Sequence, residues 1–83
     1  MEVRTREAFP QAWAMTQNNL ALALNDQAGA VEGGERRHLL VEAARAMRAH
    51  GTVYTEEVDP EGFRERQRWI EAVEAKILKL EAP

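Results

Sequence analysis

His38 and Glu42 stand four residues apart, the spacing that places two side chains on one face of a helix and makes a metal pair conceivable. Two ligands do not make a site, and the plainer reading of the pair is a solvated helix surface. His38 and His50 are twelve residues apart, about 120° round a helix, so they do not converge. The chain has no serine and no cysteine, which removes two common nucleophiles and with them any disulfide or thiolate zinc site. The glycine pair Gly33–Gly34 lacks the spacing and the following lysine of a phosphate-binding loop. Carboxylates are plentiful, but on charged helices they are ordinarily solvated or paired three or four residues away. The expectation is therefore a non-enzymatic protein with no catalytic, cofactor or metal site.

Two other groups of residues invite a binding role. Asn18 and Asn25 are seven apart and share a helix face, and each amide offers both a donor and an acceptor to a peptide backbone. The competing reading is that they are merely solvated, or tie a neighbouring turn. Arg64, Arg66 and Arg68 resemble an anion patch, yet Glu61, Glu65 and Glu71 lie at pairing distance, which favours a salt-bridged solvent face. Trp13 and Trp69 each neighbour an apolar stripe and read as core anchors.

Three helical segments must position these groups. The first spans 10–27: Leu20, Leu24 and the alanines 14, 21 and 28 recur at spacings of three, four and seven, and Pro10 sits in the first turn. A glycine-rich break over 28–34 turns the chain back. The second helix spans 35–58, with Leu39, Leu40, Ala43, Ala44, Met47, Val53 and Tyr54 on its apolar side. Gly51 marks a kink or a close helix approach within it. The third spans 60–81 and has the strongest start signal: Asp59 as cap, Pro60 in the first position and Glu61 at the positive dipole end. No stretch alternates with period two, so the fold class is all-α.

The 83 residues form one small domain or a piece of a larger protein, burying about 60–65% of the unfolded surface. The composition, 45% hydrophobic and 30% charged, is that of a folded, soluble chain. A net charge of −3 gives no reason to expect nucleic acid or an anionic membrane as partner. Apolar runs fall far short of the roughly 20 residues that span a bilayer, the first residues lack the apolar stretch of a signal peptide, and the cytoplasm is the expected location.

Shifted by 50 residues, the sequence matches itself. Val3, Thr5, Glu7, Pro10 and Gln17 meet identical residues at 53, 55, 57, 60 and 67, while Trp13 meets Phe63, Leu20 meets Ile70 and Ala23 meets Val73. The repeated unit is the end of one helix, a proline and the start of the next, the signature of helical repeats. The stretch VRTREAFPQAWAMTQNNLALAL resembles the tetratricopeptide repeats of bacterial proteins in the kinesin-light-chain-like class. Their units carry a Val-x-Thr-x-Glu stretch, a proline and then Asn-Asn-Leu-Gly; here the last motif reads Asn18, Asn19, Leu20, Ala21. The likeness is strong over 3–24, fair over 36–60, and fades in the last helix.

That resemblance implies antiparallel helix hairpins of an α-solenoid over 1–83: residues 1–9 as the tail of a preceding helix, 10–58 as one full pair, and 59–83 as a terminal or capping helix. It implies a concave groove for a peptide or helix, lined by Met15, Asn18, Leu22 and Asn25 in the first helix. By the same register, Glu65, Arg68, Ala72 and Ala75 line it in the last. About three repeats are needed for a stable array, so the further expectation is self-association, as a homodimer or higher oligomer. The alternative is a purely structural or homo-oligomerisation module with no open groove.

Overall fold

The computed structural model describes residues 8–81. The described chain is all-α: α1 (Pro10–Ala28), α2 (Gly33–Gly51) and α3 (Pro60–Glu81). α1 and α3 each pack antiparallel against α2, which is the central element.

α1 opens on Pro10 in its first turn, with the Trp13 amide donating to the Phe9 carbonyl at 2.9 Å. Its heptad-spaced alanines 14, 21 and 28 are all buried, at 0, 0 and 2% exposure, and on α2, the helix α1 packs against, the small residues Ala43, Ala44 and Ala46 are buried as well. Small side chains on both helices bring the backbones close. The core gathers Ala21, Ala28, Leu40, Ala44, Ala46, Met47, Ile70 and Val73, with Leu39, Trp69 and Ile77 packed on it. On α3, Ile70, Val73, Ile77 and Leu80 recur at a three–four spacing that suits helix packing; Ile70 and Val73 are buried and Ile77 partly so, but Leu80 is 39% exposed. Trp13 is half-buried at the start of α1.

The second helix is shorter than its apolar pattern predicts. It ends at Gly51, not at 58. The Thr52 hydroxyl turns back to the Ala49 carbonyl at 2.7 Å, and the Val53 and Tyr54 amides both donate to His50, tightening the chain out of the α-helix. Thr52, Val53 and Thr55 are β-branched and give up χ1 freedom in a helix, so nothing local favours continuing. Val53 and Tyr54 are half-buried and read as helix face, but they pack from a turn. Gly51 is thus a terminus rather than a kink: a β-carbon there would lie 3.7 Å from Phe63 Cε2, ordinary contact.

The turn closes on Thr55, whose carbonyl accepts from Val58 at 3.1 Å and Asp59 at 2.9 Å. Asp59 then caps α3 as predicted, its Oδ1 accepting from the Gly62 amide at 3.2 Å. At the other connection, Gly33 takes φ +67°, a left-handed conformation that glycine adopts without the β-carbon penalty, and α2 begins there. Of the expected N-terminal helical tail over 1–9, residues 1–7 lie outside the described residues.

Candidate functional site

Because α1 and α3 both lean on α2, a trough runs between them with α2 as its floor, and two concavities mark its ends. The larger, about 330 Å³, lies where α1 finishes and α2 begins. Asn25 and Ala28 form its α1 wall, Arg36 and Leu40 its floor, and Lys76, Lys79 and Leu80 its α3 wall. The smaller, about 250 Å³, takes Met15 and Asn18 from α1, His50 and Tyr54 from the end of α2 and its turn, and Asp59 and Arg66 from the start of α3.

Several of these side chains are fixed by bonds to the backbone. Arg36 Nε donates to the carbonyls of Ala28 (2.9 Å) and Val31 (2.8 Å), placing a cation at the negative end of α1. His50 Nδ1 donates to the Ala14 carbonyl at 2.7 Å, pinning α2 to α1, and its ring stacks on Tyr54 with centroids 5.0 Å apart. Arg66 donates from Nη2 to the Tyr54 carbonyl at 2.7 Å and holds Asp59 at 3.5 Å through Nη1, with only 15% of its side chain exposed. Two buried atoms along the trough have no hydrogen-bond partner: Asn25 Oδ1 and Arg66 Nε.

The walls differ in charge. No charged residue occurs from Phe9 to Asn25, so the α1 wall is neutral, and its exposed Met15 (64%) and Leu22 (44%) are apolar. Arg36, Arg66, Lys76 and Lys79 line the two concavities against the single carboxylate of Asp59, on a chain whose overall charge is −3. The arrangement offers apolar walls, amides able to donate and accept, and a local excess of positive charge.

Of the eight residues expected to line a groove, Met15 and Asn18 come together at one end of the trough and Asn25 lies at the other. Leu22 stands between the two on the same α1 face and lines neither concavity. Arg68 is exposed on α3 and lines neither, as are Glu65, Ala72 and Ala75. The α3 wall is built instead from Arg66, Lys76 and Leu80, one helical position round from the 50-residue register, with Lys79 at the rim. The signal for Arg66 lay in the sequence: it is four residues before Ile70 and so shares the inner face.

The predicted salt-bridged face of α3 does not form. Among the described residues, no ion pair joins Arg64, Arg66 or Arg68 to Glu61, Glu65 or Glu71; Arg66 turns instead to Asp59 and the Tyr54 carbonyl. Charges bridge helices instead: Arg48 to Glu74 and Arg37 to Glu81, each at 2.7 Å. His38 is exposed on the outer face of α2, while Glu42 pairs with Arg45 at 3.4 Å. Among the described residues no three His, Cys, Asp or Glu side chains gather as a metal site, and no helix is long and apolar enough to cross a membrane.

Comparison of the chain with models of known protein families, with curated proteins and with solved structures returns no match.

Proposed function

We propose that this chain is a helical-repeat module of the tetratricopeptide kind that acts by protein–protein contact and not by catalysis, with the trough between α1 and α3 as its docking surface. One observation carries the reading: a neutral, apolar α1 wall, with Met15 and Leu22 exposed and the amides of Asn18 and Asn25 at the trough's two ends. Interface centres are depleted in charge relative to ordinary surface, and a wall without one charged residue from Phe9 to Asn25 fits that pattern. The occupant is an extended peptide or a helix laid along α1, with Arg68 engaging it beyond the α3 rim. The solenoid reading draws its support from the internal repeat: the two prolines 50 residues apart each open a helix that packs on α2.

Self-association is a second reading with its own observation. Phe9 and Leu20 are 54% and 45% exposed and lie off the trough face, so α1 offers apolar surface on two sides. A second copy covering that surface would complete a core that one and a half helix pairs leave open.

The docking reading is tested by selecting a random displayed peptide library on the full chain, then measuring a selected peptide by fluorescence anisotropy against Met15→Ala, Asn18→Ala and Asn25→Ala. A loss of about tenfold or more, near 1.4 kcal/mol, is expected for at least two of the three. No enriched peptide, or a peptide sensitive to Arg45→Ala on the outer face but to none of these, would overturn it.

A further inference from the structure

Taking the trough as a docking surface, we infer that its lysine-lined end receives the 55–61 turn of a second copy of this chain, so that copies associate head to tail. The turn has the shape and chemistry of a plug. Among the described residues Val58 is the most exposed of the large hydrophobic side chains at 68%, and the exposed carboxylates of Glu56, Glu57 and Glu61 surround it in sequence. Among the described residues none of the three carboxylates has an ion-pair partner. The two bonds from Val58 and Asp59 to the Thr55 carbonyl and the Asp59 cap on α3 hold the turn rigid, so little ordering is lost on docking.

The receptor complements it. The concavity of about 330 Å³ has an apolar base of Ala28, Leu40 and Leu80 and room for a valine side chain. Lys76 and Lys79 stand at its mouth, and among the described residues neither has a carboxylate within ion-pair distance. Glu81, at the same end of α3, is already held by Arg37 at 2.7 Å. An apolar knob ringed by unpaired carboxylates thus matches an apolar hole ringed by unpaired ammonium groups.

Plug and receptor sit at opposite ends of α3, about 30 Å apart at 1.5 Å per residue from Pro60 to Leu80, so one molecule cannot satisfy itself. The contact joins two different patches. Stacked head to tail it is heterologous and leaves a free plug at one end and a free receptor at the other, so copies add on; a reciprocal pair, each copy plugging the other, would stop at two.

The test is a charge swap read by sedimentation velocity on the full chain over a hundredfold concentration range. The two variants are Glu56→Lys with Glu57→Lys, and Lys76→Glu with Lys79→Glu. All four side chains are exposed, and circular dichroism at 222 nm checks that each variant stays helical. The wild-type chain is expected to show an average mass that rises with concentration past the dimer. Each variant alone should associate at least about tenfold more weakly, because plug and receptor then carry the same sign. An equimolar mixture should regain wild-type association, since each variant's plug now matches the other's receptor. Monomers at every concentration, or variants that associate like the wild type, would overturn the docking. So would a mixture no better than its components. None of those outcomes touches the trough as a peptide site, which the displayed-library selection judges by itself.

Discussion

Replacing Ala21 with leucine is expected to destabilise the chain by about 1–3 kcal/mol, the range for forcing extra methylenes into a packed interior. Ala21 is 0% exposed in the middle of α1 and belongs to the core cluster. Its neighbours along the stripe, Ala14 and Ala28, are equally buried, so no adjoining side chain on that face can withdraw to make room. Leucine and alanine have nearly the same helix propensity, so the loss reports packing between α1 and α2 and not the helix itself. Against a total stability of about 4–12 kcal/mol for 83 residues, the change is large. With a urea dependence of about 1 kcal/mol per molar for so small a chain, the unfolding midpoint should fall by about 1–3 M. The assay is urea unfolding followed by circular dichroism at 222 nm, with Ala23→Leu as the control. Ala23 is exposed on the same helix and should stay within about 0.5 kcal/mol of wild type. If Ala21→Leu were neutral, or matched the control, the claim that small residues set the α1–α2 approach would be refuted.

Three further substitutions probe the rest of the frame. Gly51→Ala should stabilise by about 0.5–1 kcal/mol in thermal unfolding, because the position has helical backbone, contact space beside Phe63 and an unfolded-state entropy to lose. A destabilised variant would mean Gly51 is required by the fold. Asp59→Ala removes the cap bond to the Gly62 amide and should cost about 1 kcal/mol, while Asp59→Asn, which keeps a capping oxygen, should lose much less; equal losses would contradict the capping role. Arg66→Leu strips the Tyr54 carbonyl of its donor and should cost about 1–3 kcal/mol by urea unfolding, whereas Arg64→Leu on the exposed side should change stability by less than about 0.5.

Helix count, most of the buried faces and the start of α3 were legible in the sequence because each rests on local chemistry: alanine spacing in α1, the three–four run of Ile70, Val73 and Ile77, and the Asp59–Pro60 start signal; Leu20 and Leu80, which continue those patterns, are exposed instead at 45 and 39%. The end of α2 was not legible. Val53 and Tyr54 continue the apolar pattern, but a period reads side chains and is blind to the backbone bonds from His50 and Thr52 that stop the helix. On α1 the repeat resemblance pointed to Met15, Asn18, Leu22 and Asn25, and of these Met15, Asn18 and Asn25 line the two concavities while Leu22 does not. The α3 wall of the trough was missed, because the 50-residue register carries α1's face onto Arg68, while Arg66, four before Ile70, and Lys76, three after Val73, follow the buried residues onto the inner face. The buried role of Arg66 depends on the Tyr54 carbonyl twelve residues away, a contact that only the finished turn creates.

The most direct test of the trough as the contact surface is a dilution series of backbone amide NMR spectra on the full chain. Concentration-dependent shifts are predicted along the trough, at Asn25–Gly29 and Lys76–Leu80, and on the 55–61 turn, with the outer face of α2 at His38, Glu42 and Arg45 unmoved. Shifts centred on that outer face, or spectra identical at every concentration, would contradict the trough as the contact between copies.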